Sequence, residues 1–203
     1  MSFHVISVAF ALLHMTYYTT VKVPNMRYIL LSTLLMWSLY AEAQPEQWIT
    51  YKDAVSEEFS VEVPISMEVK TKEMETSLGK LKSVAYTVEG TEDDANMLYL
   101  ITKVAYPAGT FPADSIELAE EYLTEAVTTT AESVGGEVVY VSRSDRSGPI
   151  TYLFRLKYSG GQAVIKGKAI ISGDSFYLLQ VYCHTNDSLN SEMDDFLNSF
   201  TLH

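Results

Sequence analysis

A single cysteine, Cys183, stands in a chain of 203 residues, which excludes a disulfide framework. Histidine is scarce as well: of four, only His184 and His203 lie beyond residue 14. Two late histidines and one cysteine cannot assemble the common structural zinc sites, which take about four such ligands. Basic residues number 14 against 26 acidic ones, a formal net charge of −12. Nucleic acid is excluded as a partner on this ground, because phosphate recognition needs clustered lysine and arginine. No apolar run reaches the roughly 20 residues of a membrane-spanning helix. Glycine pairs occur at Gly135-Gly136 and Gly160-Gly161. Neither precedes a helix carrying a lysine, so no phosphate-cradling loop is read from them. The expectation is a chain with no cofactor and no bound metal.

What is present begins with an apolar front. Residues 5–13 and 28–40 are two short hydrophobic runs. The second has the parts of a secretory signal peptide: Arg27 before it, and the small residues Ala41 and Ala43 after it. Residues 26–43 are read as that signal peptide, starting at Met26, with residues 1–25 an upstream extension or part of the leader. No cysteine follows Ala43, so no lipid anchor is expected. Removing Lys22, Arg27 and Glu42 with the leader leaves Gln44–His203 with 12 basic and 25 acidic residues. The reading is a single acidic domain over 44–203, secreted or periplasmic in a bacterium. Its expected partner is another envelope or secreted protein.

Apolar periodicity lays out the domain. Trp48–Tyr51 is a short β-like run, and Phe59, Val61 and Val63 alternate with polar residues up to Pro64. Strands are predicted at 78–89, 96–106, 137–144, 150–158, 162–172 and 176–184. Polar or glycine-rich turns separate them, the tightest at Ser159-Gly-Gly161 and Gly173-Asp174. A helix is predicted over Asp114–Val134, with Asp114 and Glu117 spaced as a capping box. Its apolar face runs Ile116, Ala119, Leu123, Ala126, Val127, Ala131, Val134, and Gly135 ends it. A second helix is predicted over 186–199, its stripe running Leu189, Met193, Phe196, Leu197 and Phe200. Short links between strands require antiparallel neighbours, and each amphipathic helix needs a sheet face to cover. The fold class is therefore α+β: an antiparallel sheet with helices packed on its faces.

The run Trp48-x-x-Tyr51, then Phe59-Ser-Val-Glu-Val-Pro64, a capped central helix, a four-strand meander and a terminal Phe196-Leu-Asn-Ser-Phe-Thr-Leu202 resembles the PsbP-like superfamily. That group includes the extrinsic PsbP subunit of photosystem II, a Ran-binding nuclear import factor and many small exported bacterial proteins. The resemblance implies an α/β/α sandwich and a non-catalytic binding or accessory role. It carries over no functional residue.

Few side chains invite chemistry. Cys183 and His184 are adjacent on a predicted strand, so they point to opposite faces and cannot serve together as nucleophile and base. Cys183 is read as core. His184 is the one residue a hydrolase reading has, with Ser172, Ser175 and Ser188 near it in sequence. Asp93-Asp94 with Glu92 is read as a solvated turn. On adjacent antiparallel strands, Arg155, Lys157, Lys166 and Lys168 share one sheet face, a candidate surface for an anionic partner. Three functions compete: a non-catalytic binding or accessory module, a small-ligand carrier with a cavity between sheet and helix, and a hydrolase using His184.

Overall fold

A computed structural model describes residues 48–76, 78–144 and 148–203. The expected signal peptide over 26–43 and the expected upstream extension over 1–25 lie outside the described residues. No helix among the described residues is long and apolar enough to cross a membrane.

Two antiparallel sheets and two helices make up the domain. Strands β1 (Ile49–Lys52) and β2 (Phe59–Val63) form a hairpin. Strands β3 (Glu68–Thr76), β4 (Gly79–Glu89) and β5 (Asn96–Ala105) form a meander. Helix α1 (Ile116–Ser133) follows, then β6 (Glu137–Arg143), β7 (Ile150–Tyr158), β8 (Ala163–Ser172) and β9 (Ser175–His184). Helix α2 (Glu192–Ser199) and a two-residue strand, β10 (Thr201–Leu202), close the chain. The large sheet has seven strands in the order β3-β4-β5-β9-β8-β7-β6. The small one has three, in the order β1-β2-β10. The α+β class expected from the sequence is the class observed.

The large sheet is hydrophobic on both faces because its central strands lie between two layers. On one face, Ala119, Leu123, Val127 and Ala131 of α1 pack on Phe154, Leu156, Ile165 and Ala169. On the other, Met193, Phe196 and Leu197 of α2 meet Phe59, Val61 and Val63 of the small sheet over Tyr86, Ile101, Leu179 and Val181. Central strand β9 is buried on both sides, as its almost unbroken apolar run predicts.

Four details depart from the sequence reading. Strand β3 was not anticipated; every residue in it is exposed or half-exposed, so no alternation marks it. Strands β1 and β2 do not join the large sheet but form the small one, in which β2 also pairs with the C-terminal β10. Helix α1 starts after Ser115, and no side chain caps it, so the Asp114–Glu117 box does not form. Helix α2 starts six residues later than expected: Thr185–Asp187 is a 3-10 turn, and Leu189 is 90% exposed rather than part of the stripe. The C-terminal stop of α1 is as read. Gly135 takes φ +59°, and the amide of Gly136 donates to the carbonyl of Ala131 at 2.8 Å.

Candidate functional site

The register of β7 and β8 sets Arg155 opposite Lys166. Lys157 and Lys168 have the same parity on their strands, so all four basic residues share a face, as expected. That face is the one α2 packs on. Lys166 pairs with Asp194 at 2.6 Å. Arg155 Nη2 donates to the carbonyl oxygen of Ser188 at 3.2 Å. Lys168, 9% exposed, donates from Nζ to the carbonyl oxygen of Leu197. A cation at the last turn of a helix meets unpaired carbonyls and the negative end of its dipole. The anionic group this face binds within the chain is therefore α2, whose first turn carries Glu192, Asp194 and Asp195. Lys157 is exposed.

Beside this docked helix the same face opens into a cleft of about 350 Å³. Leu153, Ile170, Phe200 and Leu202 give it apolar walls, and Lys168 lies at its base. Ser144, Thr151, Asn198 and Thr201 give it a polar rim. The cleft lies where the ends of β7 and β8 that carry Thr151, Leu153, Lys168 and Ile170 meet the last residues of α2 and strand β10. It opens to solvent and lies on the face away from α1.

A second polar cluster went unread in the sequence, since its members are spread from residue 53 to residue 177. Asp53, 1% exposed, organises the β1–β2 turn by accepting from the amides of Val55 at 2.9 Å and Ser56 at 3.2 Å. The Tyr86 hydroxyl donates to Asp53 Oδ1 at 2.6 Å. Lys103 reaches the turn from β5, donating to Ser56 Oγ and standing 2.7 Å from Glu58 and 3.8 Å from Asp53. The Tyr177 hydroxyl donates to Glu58 at 2.7 Å. Burial would raise both carboxyls, but these hydrogen bonds and the lysine charge hold Asp53 and Glu58 below their ordinary pKa. Burial, together with the facing carboxylate, pushes the Tyr86 and Tyr177 hydroxyls up. Ser56 links the two charges, its hydroxyl donating to Asp53 Oδ2 while it accepts from Lys103 Nζ. The cluster fastens the small sheet to the large one. One signal was visible: Lys103 has the inward parity of Tyr99 and Ile101, and a lysine there needs a buried acid.

Cys183 and His184 do part to opposite faces. Cys183 is fully buried beside Met193, with its sulfur 3.8 Å from the Met193 sulfur, and burial raises its thiol pKa. His184 is exposed at the end of β9. Among the described residues, no hydrogen bond or ion pair joins its ring to Ser172, Ser175, Ser188 or a carboxylate. Glu92 and Asp93 are exposed, and Asp94 accepts from the Thr91 amide at 2.6 Å, as a turn residue does. A buried, protonated thiol reacts slowly. Native protein should therefore resist a thiol reagent until unfolded, and Cys183→Ala should cost about 1 kcal/mol. Rapid stoichiometric labelling without denaturant would refute this placement.

No protein-family model and no curated protein matches the chain. Among solved structures it is similar to cyanobacterial PsbP from Synechocystis sp. PCC 6803. The TM-score is 0.52 at 9% identity, over 80% of this chain and 96% of that one. A Pseudomonas aeruginosa protein of unknown function aligns at a TM-score of 0.35 and 10% identity, over 72% of this chain and 89% of that one. The chain has a PsbP-like fold; at these identities the likeness concerns architecture alone.

Proposed function

We propose that this PsbP-like domain is an exported, non-catalytic accessory module that holds a segment of another envelope or secreted protein in the cleft between β7, β8 and β10. The cleft supports this reading. It combines apolar walls with the Lys168 ammonium at the base, so it suits an apolar side chain next to a carboxylate. The carrier reading draws less support, because the core between the sheet and α1 is filled by side chains of both layers. The hydrolase reading has only His184, which stands exposed and away from the cleft. Export draws its support from Arg27, the run 28–40 and Ala41-Glu42-Ala43.

The test places a photo-crosslinking side chain at Asn198, on the rim, or at Glu132, on the outer side of α1, in the protein as its own cells export it. The expected result is one discrete adduct from Asn198 and none from Glu132, on a chain whose first residue is Gln44. Leu153→Asp, at a half-exposed wall position, should abolish that adduct while the far-ultraviolet spectrum stays unchanged. Equal adducts from both positions, or none from Asn198, would overturn the proposal.

A further inference from the structure

The small sheet ends on the cleft. Its order is β1-β2-β10, so one edge of β10 faces β2 and the other is open. Phe200, Thr201 and Leu202 line the cleft and no residue of β1 or β2 does, so the cleft runs along that open edge. The register shows which main-chain groups face it. Thr201 stands opposite Ser60 and Leu202 opposite Phe59, and the amide of His203 donates to the carbonyl of Glu58 at 2.8 Å. Hydrogen-bonded and non-hydrogen-bonded pairs alternate along an antiparallel ladder. His203 and Thr201 therefore bond to β2, while the N–H and C=O of Leu202 point the other way, into the cleft. Among the described residues neither group has a hydrogen-bond partner. Beneath this edge the floor has two rows, Leu153 beside Lys168 and Thr151 beside Ile170.

We propose that the partner segment enters the cleft as an extended strand, pairs with Leu202 and becomes the fourth strand of the small sheet, antiparallel to β10 as β1 and β10 are to β2. This rests on the accessory reading and names the conformation and residue pattern of the segment. Leu202 offers a donor and an acceptor on one edge, and an extended chain answers them with its own N–H and C=O. A helix cannot, because its main-chain groups are already bonded within it. Side chains of a strand alternate between faces, so residues two apart point at the floor. One lies over the Leu153–Lys168 row and the next over the Thr151–Ile170 row. The segment therefore carries an acidic residue for Lys168 and, two positions away, an apolar one for Ile170. A second copy of this chain does not fit. Its open edges, β3 and β6, bring a whole sheet with them. The cleft holds about 350 Å³ and is bounded by Ser144 and Pro149, which suits a short single strand.

A tethered peptide tests the pairing without the partner. The probe is Thr-Val-Thr-Glu-Thr-Gly-Gly-Cys, joined by a disulfide to Asn198→Cys in the protein its cells export. The buried Cys183 does not compete for it. The tether holds the peptide at an effective concentration of about millimolar and sets its glutamate on the Lys168 side. Hydrogen exchange of the Leu202 amide should slow about tenfold or more. The same peptide N-methylated at valine and glutamate, whose N–H groups face β10 in the pairing, should give no slowing. In the exporting cells, Leu202→Pro should abolish the Asn198 adduct and leave the unfolding midpoint in place. Proline there removes an N–H that the β2–β10 ladder does not use. The peptide pair decides the matter even where proline costs stability. No slowing with the plain peptide, equal slowing with the methylated one, or an adduct that survives Leu202→Pro would overturn the pairing and leave the accessory reading standing. Wild type without the Asn198 adduct would overturn both.

Discussion

Lys103→Met should destabilise the domain by about 3–5 kcal/mol, the cost of removing one partner from a buried ion pair. The methionine fills the aliphatic path of the lysine, so lost packing contributes little. What it leaves behind is the Asp53 carboxylate, fully buried and without a cation. Its hydrogen bonds from Val55, Ser56 and Tyr86 remain, but none of them carries a charge. Urea unfolding should show a lower midpoint with an unchanged slope. Asp53→Asn combined with Lys103→Met should recover part of the loss, because the uncompensated charge is gone. A double variant no more stable than the single one would show that the lysine acts by packing alone.

The same cluster fixes a pH dependence. Asp53 and Glu58 both titrate lower in the folded domain than a free carboxyl does. A depressed carboxyl contributes stability that is complete above its unfolded pKa, near 4, and is lost as pH falls through the folded value. Wild type should therefore weaken on acidification below about pH 4. The gap between wild type and Lys103→Met should narrow over that same interval, because a protonated Asp53 no longer needs the lysine, while wild type then carries a lysine without its acid.

Legibility in the sequence followed burial. Helix α1 and strands β7, β8 and β9 were readable because each sets buried residues on a face against the core, so periodicity and the glycine turns agree. Strand β3 was not, because an edge strand charged on both faces has no period to detect. The small sheet was missed because its third member is two residues long. The onset of α2 was misplaced because Thr185-Asn-Asp-Ser188 suits a 3-10 turn as well as a helix start. The basic face could be read, since antiparallel register and parity alone bring Arg155 and Lys166 together. What register cannot give is the layer above: that Lys166 and Lys168 meet an acidic helix, and Arg155 the loop before it, depends on where the chain returns after β9. The Asp53–Lys103 cluster lay further out of reach, as it joins a turn of one sheet to the centre of another.

Gly167→Ala should cost about 3 kcal/mol, the upper end for overpacking a core, although it adds a single methyl group. Gly167 sits in the middle of β8, between Phe154 on β7 and Gln180 on β9. The Phe154 ring lies over the space a side chain would take, a device that lets an aromatic cover a glycine in a sheet. A Cβ there would stand 2.5 Å from Phe154 Cε1 and 2.7 Å from the Leu179 carbonyl oxygen. The ring cannot swing away, because Phe154 is fully buried beneath Leu123 and Val127 of α1. The carbonyl cannot move without breaking the β8–β9 ladder. Gly160→Ala makes the contrast: Gly160 has φ +63° and nothing within 4 Å of a Cβ, so its cost is backbone strain alone, about 1–2 kcal/mol. If the Phe154 ring is the obstacle, Phe154→Leu should offset part of the Gly167→Ala loss, with a coupling of about 1 kcal/mol or more in a double-mutant cycle read by thermal unfolding. Additive costs would place the obstacle at the Leu179 carbonyl instead.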